Sequence, residues 1–462
     1  MREIEYTADE LVTALLRLSE SETVCLLDSC GVGHLGSHLA VAGIEPVEVI
    51  EITRDDPAET LAILDKKVSG KYAPIFTIPY DFGLKLLNVR TRIKELASPP
   101  EPDVFLALFD SLIVHDYDTQ RTHLCGSIER FDSIEEKLRS AICDLKSEIP
   151  SAPASVTSNF TKAEYLAAID TIKEHIRCGD TYQTNLTQQL TAKLPASVTP
   201  ATVFHRLRRD HPAPFASFIK RSNSTVISAS PERFIRVSSP HASKGSTRRI
   251  ETSPIKGTRR RGTTPDEDRM LRNDLLSSAK DRAENTMIVD LLRNDLGSVC
   301  EYGTVCVEKL CDLEEHPTLF HLVSTISGQL RNDVRLSDIL RAVFPCGSIT
   351  GAPKLSTMRI IDELETVNRG LSMGAIGYQV PGPKSQAPTG SSTWDLGPGT
   401  WDLSVAIRTM VIREDVATFN VGGGIVIDSD PEKEYDETLL KARALLSAIG
   451  AEYPEQSSGG GV

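Results

Sequence analysis

Pro254-Ile255-Lys256-Gly257-Thr258-Arg259-Arg260-Arg261-Gly262 is the most informative stretch of this chain. A β-branched residue, a lysine and a glycine close what reads as a strand. A lysine held there beside a ligand, with its pKa depressed by burial or neighbouring cations, presents a nucleophilic amine. The same basic run also reads as a solvated face or a phosphate contact. Asp266-Glu267-Asp268, just beyond it, breaks any continuous nucleic-acid track.

Further along, Asp281 and Glu284 stand three apart in a helical run, and Glu434 and Glu437 repeat that spacing at the start of another. Carboxylates at i and i+3 share one helix face. Two such faces can converge on a cation, and oxygen donors without a nearby His or Cys suit Mg²⁺; the alternative is a solvated acidic surface. Three glycine-bearing segments fit a small anionic ligand: Gly347 to Lys354 (GSITGAPK), Gly374 to Tyr378 (GAIGY) and Gly422-Gly423-Gly424-Ile425. Without side chains, backbone N–H groups approach carboxylate oxygens closely. None has the spacing of a Walker loop or a dinucleotide fingerprint. Arg408 can clamp a carboxylate or lie on a strand surface, and His321 can act as an acid/base or sit hydrogen-bonded in a core.

The chain has 462 residues, 40% hydrophobic and 25% charged, a globular balance with room for two or three domains or one large fold. Its net charge of −13 argues against nucleic acid or an anionic membrane as a main partner, because the mean field repels phosphate. The acidic opening lacks an apolar leader region, and no run approaches the ~20 apolar residues of a membrane span. A cytoplasmic protein is expected. Nine cysteines without a C-x-x-C pair support neither a disulfide framework nor a zinc ribbon.

Thr161-Lys162-Ala163-Glu164 has capping-box spacing, and the apolar residues that follow predict a helix over 162–177. The Pro/Ser-rich stretch at 150–158 suggests a boundary, giving residues 1–150 as an N-terminal region, 151–453 as the catalytic region and 454–462 as a tail. LRND occurs at 271–274, 292–295 and 330–333, but unequal separations exclude a solenoid. The Pro/Gly-rich stretch from Pro381 to Thr400 reads as a loop.

In their order along the chain these segments resemble the chorismate-utilising enzymes, over about 161–450 most strongly. Further landmarks are Gly179-Asp180-Thr181-Tyr182-Gln183-Thr184-Asn185-Leu186, Ser230-Pro231-Glu232-Arg233-Phe234, the run from Met287 to Leu296, AIRT at 406–409 and, more loosely, LLDS at 26–29 and Tyr80-Asp81-Phe82-Gly83. Within the family the resemblance is closest to the aminodeoxychorismate synthase component I branch. It implies an α+β fold: a large antiparallel two-sheet sandwich with helices outside and the site in a cleft.

By position, the resemblance makes Lys256 the lysine that attacks C2 of chorismate and Glu232 the acid/base for the departing C4 hydroxyl, with His321 near the ring. Glu284 and Glu437 match direct Mg²⁺ ligands, with Asp281 and Glu434 in support. Thr350, Tyr378, Arg408 and Gly422, Gly423 and Gly424 match contacts to the chorismate carboxylates, and the resemblance makes Gln183, Thr258 and Lys354 further substrate-binding residues. Gln183 stands where members that add water to C2 carry a lysine base, which disfavours isochorismate and salicylate synthases. The branch that aminates C2, anthranilate synthase component I, usually has alanine where Lys256 stands. Arg260 replaces a common proline, and Asn285 a frequent histidine. No glutaminase sequence is recognisable, so ammonia is expected from a separate glutamine amidotransferase subunit in a heterodimer. The expected product is 4-amino-4-deoxychorismate, on the route to 4-aminobenzoate and folate.

Overall fold

The computed structural model describes residues 1–33, 38–89, 100–141, 154–238, 248–315, 319–380 and 400–451. The tail, the stretch 381–399 and residues 150–153 of the proposed boundary therefore lie outside the described residues. Two antiparallel sheets form the frame. The 12-stranded sheet runs in the order Arg2–Ile4, Arg121–Gly126, Ser111–Asp116, Leu39–Ile44, Val24–Asp28, Phe215–Lys220, Thr225–Ser230, Thr409–Arg413, Val416–Ile425, Gln183–Lys193 and Gly351–Ala352, with Val156–Ser158 also beside Gln183–Lys193. The 10-stranded sheet runs Ile255–Arg260, Leu319–Gln329, Arg249–Ser253, Arg233–Ser238, Trp401–Val405, Ala375–Gln379, Ala73–Ile78, Val104–Phe109 and Glu48–Ile52, with Cys306–Glu315 also against Leu319–Gln329.

Apolar side chains from both sheets meet between them. Cys25, Val41, Ile219, Val226 and Val411 of the larger sheet pack with Ile75, Phe105, Ala107 and Ile376 of the smaller. Two further cores bury the outer faces of the sheets under helices. Strands buried on both faces explain the near-continuous apolar runs such as Val104–Phe109. This is the α+β sandwich the resemblance implies. Strands from before residue 142 and after residue 153 hydrogen-bond within both sheets: Val24–Asp28 pairs with Phe215–Lys220, and Ala73–Ile78 with Ala375–Gln379.

The capping box at Thr161 forms reciprocally with Glu164 and starts the helix Lys162–Cys178, which ends on Gly179 at φ 82°. The helical stretch near 268–296 is two helices, Pro265–Ser277 and Ala279–Gly297, because Ser278 leaves helical geometry and its side chain caps the second through Asp281 N–H. Pro431–Ile449 covers the end of Val416–Ile425.

Candidate functional site

The site begins with a bulge. Ile255–Arg260 pairs with Leu319–Gln329 so that Lys256 faces Leu322 and Thr258 faces His321, leaving Gly257 as the extra residue. Gly257 takes φ +80°, and a Cβ there would stand 2.9 Å from Asp281 Cβ and from Leu275 Cδ1. Only glycine accepts both the left-handed backbone and the close approach of the helix junction above it. Lys256 Nζ donates to the Ser348 carbonyl at 3.3 Å. His321, buried, shares a hydrogen bond of 2.9 Å with Thr258 Oγ1 through Nδ1.

Glu232 arrives from the turn between Thr225–Ser230 and Arg233–Ser238, held by its carbonyl on Val405 N–H (3.0 Å). It is 4% exposed, and among the described residues its Oε1 has no hydrogen-bond partner. Burial pushes its pKa up to about 7; hydrogen bonds from the Ser348 side chain, the charge of Lys256 and the Ile255 backbone pull only partly the other way. The carboxyl is thus poised to hold or release a proton near neutrality.

The GSITGAPK segment supplies the floor. Asn185 N–H donates to the Thr350 carbonyl (2.8 Å) and Tyr182 N–H to the Ala352 carbonyl (2.7 Å). Arg369 ties the segment down by donating to the Ile349 carbonyl (3.0 Å) and the Asn185 carbonyl (2.7 Å) while paired with Glu365 at 2.7 Å. The Thr350 hydroxyl is engaged with the Cys346 carbonyl at 3.0 Å. Gln183 is 0% exposed, and among the described residues neither end of its amide has a partner; a Cβ on Gly424 would fall 2.2 Å from its Nε2. Buried polar atoms of this kind call for a polar ligand. Arg408, at φ 48°, has no ion pair among the described residues, and burial lowers its pKa. A partly buried guanidinium with no ion pair among the described residues suits an anion.

The four acidic residues stand on two facing helices. Asp281 accepts from Arg259 at 3.1 Å. Glu434 accepts from Ser429 Oγ at 2.7 Å and from Lys280 at 3.4 Å, and Glu284 Oε1 is 3.9 Å from the same ammonium. Glu437 pairs with Lys441 at 2.8 Å, and Lys441 also donates to the Gly422 carbonyl at 3.0 Å. Burial raises the pKa of Glu284, whereas the Lys441 charge lowers that of Glu437. Among the described residues no three carboxylates, histidines or cysteines stand grouped as a metal site. The donor set still fits a hard cation: it is all oxygen, Glu284 Oε1 is a buried atom without a hydrogen bond among the described residues, and a cation, the Lys280 ammonium, already lies between Glu284 and Glu434.

Two of the expected contact residues have protein partners of their own. Lys354 gives its ammonium to Asp295 (2.7 Å) and the Val343 carbonyl (3.0 Å), and so braces the GSITGAPK segment. Tyr378 is buried and lines a hollow with Leu27, Ser29, Phe215 and Asp402. Both departures from the family pattern are accommodated: Asn285 bridges Ser324 and the Leu322 carbonyl inside the core, and Arg260 points outward to Glu267. Ser348, Lys280, Lys441 and the Arg369–Glu365 pair were not singled out by sequence reasoning. Ser348 lies inside the GSITGAPK segment, and Lys280 stands four residues before Glu284, but neither carries a signal without its distant partner.

The family model for chorismate binding enzyme matches residues 25–447. The chain belongs to this family. An anthranilate synthase component 1 of Haloarcula marismortui is 35% identical over 449 residues, covering 90% of this chain and 84% of that protein. An aminodeoxychorismate synthase of Streptomyces griseus is 38% identical over 370 residues, 77% of this chain, and the match spans only 47% of that longer relative. The crystal structure of anthranilate synthase component I from Streptococcus pneumoniae superposes with a TM-score of 0.71 at 26% identity, covering 90% and 93% of the two chains. The protein is thus a chorismate-utilising enzyme, and among the described residues no helix is long and apolar enough to cross a membrane.

Proposed function

We propose that this chorismate-utilising enzyme aminates chorismate at C4, giving 4-amino-4-deoxychorismate. The observation that carries this reading is the pairing of an amine with a proton donor: Lys256 Nζ on the Ser348 carbonyl, and the buried Glu232 carboxyl beside the same residue. As the free amine, Lys256 attacks C2, the ring double bond shifts, and the C4–O bond breaks as Glu232 delivers its proton to the leaving hydroxyl, which departs as water. Ammonia then attacks C4, the double bond shifts back, the C2–N bond breaks, and the lysine is released. Arg408 and the Gln183 amide hold and orient the substrate, with His321, fixed by Thr258, against the ring. Glu284 and Glu437, with Asp281 and Glu434 behind them, would hold Mg²⁺, which when bound supplies positive charge for the ring carboxylate. Ammonia comes, on this reading, from a separate glutamine amidotransferase subunit in a heterodimer, and the product feeds 4-aminobenzoate and folate synthesis in the cytoplasm.

The similarity to two anthranilate synthases supports a second reading, amination at C2. Purified protein incubated with chorismate, Mg²⁺ and ammonium separates the two by chromatography. 4-Amino-4-deoxychorismate is expected, anthranilate would establish the second reading, and unchanged chorismate would leave neither standing.

A further inference from the structure

Lys280 is the second residue of the helix Ala279–Gly297, at the end where the helix dipole disfavours a cation. Its intrahelical partner, Glu284, lies four residues towards the C-terminus, the weaker orientation for such a pair, and 3.9 Å away. Neither local term accounts for a lysine here. Its nearer contact is Glu434, at 3.4 Å on the opposing helix Pro431–Ile449. Glu434 is only 6% exposed, and burial of its charge demands a counter-charge. The one ammonium therefore spans two helices that belong to different layers, and it rests between two of the carboxylates assigned to the cation. Lys441 is not equivalent, because it stands on the same helix as its partner Glu437 and is also anchored on the Gly422 carbonyl.

We propose that Lys280 is the resident counter-cation of the acidic face and that a divalent cation binds there by exchange, displacing the Lys280 ammonium from between Glu284 and Glu434. The inference rests on the magnesium reading above. Exchange explains why carboxylates that suit a hard cation are not grouped as a ready metal cage: their mutual repulsion is answered by the chain itself until the metal arrives. It also makes cation affinity a difference between two competing charges, so removing one must strengthen the other.

Mn²⁺ titration of the full-length chain, followed by the loss of the free-ion EPR signal, tests this. Lys280→Met should bind Mn²⁺ about 5-fold tighter or more, Lys280→Arg should stay near the parent, and Lys193→Met, which removes an exposed charge elsewhere, should change nothing. Equal or weaker binding by Lys280→Met would overturn the exchange while leaving the metal site intact. Absence of saturable binding by the parent would remove the magnesium reading and the exchange with it. Should Lys280→Met fail to fold, the parent chain suffices. Mg²⁺ should raise the rate at which acetic anhydride modifies Lys280, read by peptide mass spectrometry, and an unchanged or slower rate would overturn the proposal.

Discussion

Glu232 concentrates the electrostatics of the site in one carboxyl. With its pKa at about 7 against an ordinary 4.5, it is more protonated in the folded chain than in the unfolded one. Its contribution to stability is therefore complete below the unfolded value and lost as pH rises through 7. Glu232→Gln removes that loss. In urea unfolding, the stability of the parent relative to the variant should fall between about pH 5 and about pH 8, by up to about 3 kcal/mol; a flat difference would show that the carboxyl is not perturbed. The same variant should lower kcat by about 10²–10⁴, and the parent's rate, at fixed free ammonia, should decline above about pH 7 as the acid is lost. Lys256→Ala should abolish C4 amination or divert nitrogen to C2, read from the products. Unaltered turnover and product would defeat the covalent route.

Elements decide where these residues point. The Gly257 bulge sets Lys256 against Ser348, and the segment carrying Ser348 is held by the Arg369–Glu365 pair through the Ile349 carbonyl. Arg369 and Glu365 are 1% and 3% exposed, and Glu365 also accepts from Thr187 N–H (2.8 Å) and Oγ1 (2.9 Å). The Arg369 guanidinium also lies 4.4 Å from the centre of the Tyr80 ring. Arg369→Met would leave a buried carboxylate without its counter-charge, and a loss of about 3–5 kcal/mol in urea unfolding is expected. Arg369→Lys keeps the charge but not the fork that reaches two carbonyls at once, so it should lose less stability while still lowering kcat. Equal stability for the methionine variant would show that the pair contributes nothing net. None of this was legible beforehand. Leu364-Glu365 and Arg369-Gly370 carry no periodic or motif signal, and the carbonyls that Arg369 reaches belong to backbone, which any residue supplies.

At the scale of the molecule, the two sheets interleave the chain. The N-terminal strands extend the larger sheet from Phe215–Lys220 and the smaller from Ala375–Gln379, so neither sheet is complete without both parts. Cores shared in this way unfold together. Urea transitions followed by tryptophan fluorescence and by far-UV circular dichroism should coincide in the full chain, and separate midpoints would show independent units. In a protein of net charge −13, Lys256, Lys280 and Lys441 form a local positive cluster beside Glu284 and Glu437.

The sequence alone determined what is local or one-dimensional: the helix at 162–177, within one residue of the observed Lys162–Cys178, the carboxylate pairs on helix faces, and the ordered motifs that mark a chorismate-utilising enzyme. Capping and i, i+3 spacing act over a few residues, so neighbours suffice to specify them. Tertiary structure alone decided which of the candidate residues meet. Lys256 reaches a carbonyl 92 residues away, Lys280 a carboxylate 154 residues away, and Lys354 the Asp295 carboxylate. Those meetings depend on strand register, on one bulged glycine and on the packing of helices from opposite layers, and a side chain's own type encodes none of them.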